Sequence, residues 1–99
     1  MGTRISVDRE KIAEFCRKHH IRRLALFGSV LSDDFGPDSD VDVLVEFEPG
    51  HVPGLGFITI EAELSSLLGR SVDLNTTGFL SPYIRDRVLS EAEEQYAEA

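Results

Sequence analysis

The sequence predicts an α+β fold, an α/β sandwich in which a small mixed β-sheet of three or more strands is packed by helices. Short apolar runs with alternating polarity predict strands, and apolar residues at three- and four-residue spacing predict helices between them. No repeat or linker divides the 99 residues, and a domain typically takes about 100–200 residues. We therefore expect residues 1–99 to form a single domain, in the order helix, strand, turn, strand, helix, strand, helix.

The first part of the chain predicts a helix followed by a strand. A capping residue, Ser6 or Asp8, can begin a helix that runs to about His20. The apolar segment Ile21–Phe27 then predicts a strand that ends abruptly at a Gly-Ser pair. Residues 30–34 are expected to form a short helical turn.

The middle of the chain contains the clearest strand, Val41–Phe47, in which the valines point to one face and more polar residues to the other. A Pro- and Gly-rich loop covers residues 49–56. Residues 58–68 have helical spacing, and Gly69 is placed to end that helix.

A short strand over residues 71–74 and a last helix complete the prediction. The helix is expected to start at Ser81, to carry Pro82 in its first position and to run to about Tyr96. Its apolar stripe is expected to pack on the sheet. That stripe consists of Ile84, Val88, Leu89, Ala92 and Tyr96.

Composition excludes several classes of function. The net charge is −8, from 10 basic and 18 acidic residues, and a duplex-binding protein needs a basic surface. We therefore expect no direct nucleic-acid binding. No run approaches the roughly 18 apolar residues of a membrane span, and no secretory signal is seen. One cysteine, Cys16, allows no intramolecular disulfide. The expected location is the cytoplasm, without membrane association.

The residue pattern that carries chemistry is Gly-Ser, ten intervening residues, and Asp-Val-Asp. A glycine at a strand end lets backbone amides approach a phosphate, and Ser29 after Gly28 adds a hydroxyl at the start of a helical turn. Asp40 and Asp42 lie two apart on a strand, so both carboxylates project from one face. A divalent cation such as Mg²⁺ would relieve their repulsion and suits oxygen ligands.

Asp73 is the best candidate for a third carboxylate. It lies between Val72 and Leu74 in a short strand, so it faces away from them and could join Asp40 and Asp42. Each feature alone has a simpler explanation, since acids on edge strands are often solvated charges and Gly-Ser is often only a turn. The combination favours a site.

At these residues the sequence resembles the nucleotidyltransferase superfamily that includes DNA polymerase β, and implies its palm-like fold. More narrowly, it resembles the minimal nucleotidyltransferase (MNT) antitoxins, which are paired with HEPN-domain ribonuclease toxins in prokaryotes. The resemblance spans nearly the whole chain. Its matching segments are FGS, PDSDVDVLVEF, GRSVDL and LSPYIRDRVLSEAE.

The resemblance implies transfer of AMP from ATP, or of another nucleoside monophosphate from its triphosphate, to a hydroxyl, with two Mg²⁺ ions. In the antitoxin group the acceptor is a tyrosine of the partner HEPN toxin. Gly28 and Ser29 would bind the triphosphate and Asp40 and Asp42 the metals. Asp73 would be the third ligand and the base for the incoming hydroxyl.

One departure keeps alternatives open. Many relatives carry basic residues just after Gly-Ser, where this chain has Asp33 and Asp34. One alternative is an antitoxin that acts by binding alone; another is a small-molecule (antibiotic) nucleotidyltransferase that forms its acceptor pocket as a homodimer. The arginines that could supply the missing positive charge are Arg22, Arg23, Arg70 and Arg85.

Overall fold

The computed structural model describes residues 7–31, 36, 39–51, 53–76 and 82–97, apart from the side chains of Ser29 and Ile84. The helices in this part of the chain are α1 (Arg9–Lys18), α2 (Phe57–Leu68) and α3 (Pro82–Glu91). The strands are β1 (Ile21–Phe27), β2 (Val41–Phe47), β3 (Val72–Thr76) and β4 (Glu93–Ala97). Short 3-10 turns occupy Gly28–Leu31 and Gly54–Gly56.

The four strands form one mixed sheet in the order β3-β2-β1-β4. Strand β1 is antiparallel to both β2 and β4, whereas β2 and β3 are parallel. Parallel neighbours need a long crossover connection, and the segment containing α2 provides it. The expectation of an α+β fold with a small mixed sheet packed by helices is confirmed.

One face of the sheet forms the hydrophobic core. Val41, Val43 and Val45 of β2 are each fully buried, as the alternating pattern predicts. Helices α1 and α2 contribute the residues that cover them, among them Ile12 and Leu64. The opposite face of β2 carries Asp42, the buried Leu44 and Glu46, and it is the side on which a site can form.

Local capping and backbone conformation explain where α1 begins and where α1 and α2 end. The Asp8 carboxylate accepts from the backbone N–H groups of Glu10 and Lys11 at the start of α1, at 3.1 and 3.3 Å. Ser6, the other predicted cap, lies outside the described residues. The helix ends at Lys18 rather than His20, because His20 takes the left-handed conformation with φ of 57°. Gly69, with φ of 70°, ends α2 as predicted.

The prediction of a last helix reaching Tyr96 is wrong. Helix α3 ends at Glu91, and residues Glu93–Ala97 form β4, a fourth strand absent from the predicted order. The physical reason is that the free edge of β1 offers backbone hydrogen-bonding groups. The segment pairs with that edge as β4 and places Tyr96 opposite Leu24. The helical spacing of apolar residues therefore extends beyond the end of the helix and includes a residue of the following strand. The Arg23 side chain reinforces the pairing by donating to the Glu94 carboxylate at 2.8 Å.

Candidate active site

The turn after β1 brings the Gly-Ser pair against β2. Phe27, the last residue of β1, pairs with Asp42, and Gly28 follows with φ of 74°, a conformation that side chains disfavour. A Cβ atom at Gly28 would overlap the Asp42 carboxylate and lie 3.2 Å from its Cγ. Only glycine can therefore occupy this position without displacing Asp42. Ser29 follows in the same 3-10 turn, but its side chain lies outside the described part of the chain.

The parallel pairing of β2 and β3 places Asp42 directly beside Asp73. Their flanking residues pair in the same register, with Val41 beside Val72 and Val43 beside Leu74, and all four point into the core. Asp42 and Asp73 therefore share the opposite face, on strands about 4.8 Å apart. Asp42 is half-buried and Asp73 is exposed. The predicted face for Asp73 matches this register.

Helix α2 fixes the edge strand that carries Asp73. The backbone N–H of Val72 donates to Ser65 Oγ at 3.1 Å, and that of Leu74 donates to Glu61 Oε2 at 2.8 Å. These are donors on either side of Asp73, on a strand with no neighbour beyond it within the described sheet. Satisfying them from α2 holds the strand in register and so sets the direction of the Asp73 side chain.

Asp40 lies immediately before β2 and is exposed. The backbone leading to it is held by Arg70, whose Nη2 donates to the carbonyl oxygens of Gly36 and Ser39 at 2.6 and 2.9 Å. Beyond Asp40, the Val41 N–H donates to Ser71 O at 2.9 Å. The segment entering β2 is thus fastened to the segment entering β3, and Asp40 is carried by the same framework as Asp42 and Asp73.

The four arginines considered from the sequence have different environments. Arg23 donates to Glu46 at 3.2 Å and to Glu94 at 2.8 Å, so two carboxylates offset its charge. Arg22 is exposed on β1, and Arg85 is half-buried on α3. Arg70 donates to backbone carbonyls of the segment that leads into β2, so it lies next to the strands that carry the aspartates. Asp33 and Asp34 lie outside the described residues.

Sequence reasoning missed the part that Arg70 plays in holding the backbone before Asp40. The signal available was the sequence Gly69-Arg70, a helix-ending glycine followed by a side chain long enough to reach the neighbouring segment. A contact across 31 and 34 residues cannot be read from local pattern. Cys16 is fully buried in the core, and burial raises the pKa of its thiol to about 12.

A mixed sheet with a strand ending in Gly-Ser beside carboxylates on two neighbouring strands is the architecture of a nucleotidyltransferase. Comparison with protein families agrees, since the family described as nucleotidyltransferase domain matches residues 9–94. The chain belongs to this family and is, accordingly, a nucleotidyltransferase. In the part of the chain that the structure describes, no helix is long and apolar enough to cross a membrane.

Curated relatives from archaea show which group of nucleotidyltransferases the chain is similar to. The chain is 36% identical over 88 residues to a Methanocaldococcus jannaschii protein assigned as a protein adenylyltransferase, covering 89% of this chain and 94% of the relative. It is 39% identical over 79 residues to the protein adenylyltransferase MntA of Thermococcus cleftensis, covering 79% of this chain and 78% of the relative. The resemblance to the MNT antitoxin group is confirmed by these relatives.

Solved structures share the same fold. One described as a minimal nucleotidyltransferase superposes with a TM-score of 0.71 at 38% identity, covering 85% of each chain. A toxin–antitoxin structure with AMP-PNP gives a TM-score of 0.73 at 20% identity, covering 92% of this chain and 74% of the other. A complex of an AMPylated Shewanella oneidensis HEPN toxin with an MNT antitoxin gives 0.65 at 21% identity, covering 90% and 69%.

Proposed function

We propose that this protein is an antitoxin that transfers AMP from ATP to a tyrosine hydroxyl of a partner HEPN ribonuclease toxin. The observation that carries the proposal is the direct pairing of Asp42 with Asp73 on parallel strands, with Gly28 packed against Asp42. A phosphate group that approached the backbone at Gly28 would therefore lie beside two carboxylates. The relatives named as protein adenylyltransferases support protein as the class of acceptor.

The donor set fits Mg²⁺. Asp40, Asp42 and Asp73 offer only carboxylate oxygens, the hard ligands that Mg²⁺ prefers. Two of the three are exposed and the third is half-buried, which leaves room for phosphate oxygens and water beside them. When bound, two such ions would neutralise charge on the α-phosphate and on the leaving pyrophosphate.

The chain's own residues then have separate tasks. Gly28 lets the Asp42 carboxylate pack against the turn, where the triphosphate would meet backbone N–H groups, and Ser29 offers a hydroxyl donor. Asp73 accepts the proton of the tyrosine hydroxyl. The tyrosine oxygen forms a bond to the α-phosphorus while the bond from that phosphorus to the β-bridging oxygen breaks. Pyrophosphate leaves, and AMP remains on the toxin as a phosphodiester.

The toxin as acceptor is supported by two comparisons. A fold relative was crystallised as a toxin–antitoxin complex with AMP-PNP, an ATP analogue. Another was solved with a HEPN toxin that carries AMP.

The test uses ATP labelled in either of two positions. The purified protein is incubated with Mg²⁺ and its proposed partner, the HEPN toxin sought in the neighbouring gene, with label on the α- or on the γ-phosphate. AMP transfer predicts α-label on the toxin and no γ-label. Asp42→Asn and Asp73→Asn should each abolish labelling, whereas Glu14→Gln, an exposed acid on α1, should not. Replacing the acceptor tyrosine by phenylalanine should remove the label.

Each contrary outcome favours a different function. If Asp40→Asn with Asp42→Asn still neutralised the toxin fully, binding alone would account for antitoxin action. If label appeared only on a small hydroxyl compound and the protein sedimented as a dimer, the small-molecule alternative would replace the proposal. Transfer of γ-label to the toxin would identify a kinase and refute adenylyl transfer.

A further inference from the structure

A second group of metal-ligating side chains lies at the other end of the sheet from the aspartates. We propose that His20, Glu48 and His51 bind a divalent cation of the zinc class. His20 follows α1 and precedes β1, while Glu48 and His51 follow β2. One ligand atom from each side chain lies within 4.8 Å of those of the other two.

The backbone holds the three residues together without any ion. The N–H of Glu48 donates to the carbonyl oxygen of His20 at 2.8 Å, and the N–H of His51 donates to that of Glu48 at 3.0 Å. The side chains are also close, since His20 Nδ1 lies 3.9 Å from Glu48 Oε1. The two imidazole rings stack with centroids 3.9 Å apart and an angle of 16°. A binding site therefore needs side-chain rotation but no backbone movement.

The ligand chemistry selects the metal. Two imidazole nitrogens and one carboxylate oxygen are a ligand set that zinc sites use, with water in the fourth position. Mg²⁺ prefers oxygen ligands alone, so this site and the aspartates select different ions. Zinc–nitrogen bonds of about 2.0–2.1 Å require the ring nitrogens to point at one ion, so the stacked rings must turn. His20 is 51% exposed and His51 is exposed, which leaves both rings free of core packing.

The site is separate from the proposed chemistry. Glu48 lies six residues beyond Asp42 along β2, about 20 Å at the rise of a strand. A bound ion would tie the turn between α1 and β1 to the loop that leaves β2. Its presence or absence can therefore be tested independently of adenylyl transfer.

The experiment measures zinc affinity on the full protein purified without a polyhistidine tag. Zn²⁺ is titrated against a chromogenic chelator in excess Mg²⁺, which keeps zinc from competing readily for the aspartates. Co²⁺ is used in parallel, because four-coordinate cobalt absorbs visibly. We expect one ion per chain in the wild type and at least about tenfold weaker binding in His51→Ala, as expected for loss of a ligand.

Two further variants control for structure. His20→Asn removes an imidazole but tolerates the left-handed backbone of that position, and it should also weaken zinc at least tenfold. His19→Gln is the matched control, since His19 packs on Phe15 and contacts Glu63 instead. It should bind zinc as the wild type does. Thermal unfolding without metal checks that every variant folds.

The outcomes separate the two sites. Zinc binding retained in Asp40→Asn with Asp42→Asn, and lost in His51→Ala and His20→Asn, supports the proposal. Binding unchanged in both histidine variants, binding lost in the aspartate variant alone, or no zinc binding at all would overturn it. None of these results depends on whether the toxin is adenylylated.

Discussion

Replacing Gly28 by alanine tests how the site is packed. The substitution has two costs at this position. An L-residue in the left-handed region costs roughly 1–2 kcal/mol, and Gly28 has φ of 74°. The new Cβ would also overlap the Asp42 carboxylate, and turning that side chain away from its preferred rotamer costs about 0.5–1.5 kcal/mol. We expect a total loss of about 1.5–3.5 kcal/mol in the free energy of unfolding.

Gly50→Ala is the matched control. Gly50 has φ of 82°, but a Cβ there would meet nothing within 4 Å. It should lose only the backbone term of roughly 1–2 kcal/mol. Each kcal/mol lowers the unfolding midpoint of a domain this size by about 4–8 °C, so calorimetry can separate the two variants. The difference between them isolates the contact with Asp42.

Activity should separate the variants more sharply. A misplacement of about 1 Å at a reacting group can cost about 100-fold in rate, so Gly28→Ala should lose about that much toxin labelling and Gly50→Ala none. Adding Asp42→Ala to Gly28→Ala should recover only the overlap cost, which brings stability to about that of Gly50→Ala, and should not restore activity, because it removes the overlapping carboxylate. Equal unfolding midpoints for Gly28→Ala and Gly50→Ala, or labelling by Gly28→Ala within about threefold of wild type, would refute this reasoning.

Three other predictions follow from contacts elsewhere in the fold. Arg70→Ala removes charge-assisted hydrogen bonds to two backbone carbonyls before Asp40, so it should lower the free energy of unfolding by about 1.5–3 kcal/mol and lower the rate of labelling. Arg70→Lys should restore the rate of labelling only partly. Full activity in Arg70→Ala would contradict the positioning role. The Cys16 thiol, with its pKa raised to about 12 by burial, should resist iodoacetamide at neutral pH until the protein unfolds. Stability should fall as the pH rises above 9.0, the ordinary pKa of a cysteine thiol, because the thiol ionises in the unfolded chain first. Rapid alkylation of the native protein would contradict its burial. Ending the chain at Ala92 removes β4 and exposes the edge of β1, so the shortened protein should unfold at lower temperature and aggregate; an unchanged midpoint would contradict the pairing.

The parts of the fold that were predictable are those set by local pattern. The bounds of β1 and β2 follow from apolar runs that end at Gly-Ser and at a Pro-Gly loop. Gly69 was predictable as the end of α2, because only glycine adopts its left-handed conformation cheaply. The face of Asp73 followed from its two apolar neighbours, Val72 and Leu74.

The parts that escaped prediction depend on distant partners. Residues 93–97 satisfy helical spacing, yet they form a strand because β1 presents an edge and Arg23 attracts Glu94. Whether β3 runs parallel to β2, with Asp73 beside Asp42, is decided by the crossover through α2. The hydrogen bond from Arg70 to the backbone before Asp40 likewise joins segments about thirty residues apart. Local sequence could indicate the candidate carboxylates but not the framework that aligns them.

The parallel pairing of β2 with β3 also sets when the proposed site can assemble during synthesis of the chain. Asp73 follows Asp42 by 31 residues, which the ribosome adds in roughly 2–6 s at about 5–20 residues per second. During that interval the emerging chain carries Gly28, Asp40 and Asp42 but not Asp73, the proposed third carboxylate. The pair of Asp42 and Asp73 therefore assembles only after β3 has left the ribosome and joined the sheet.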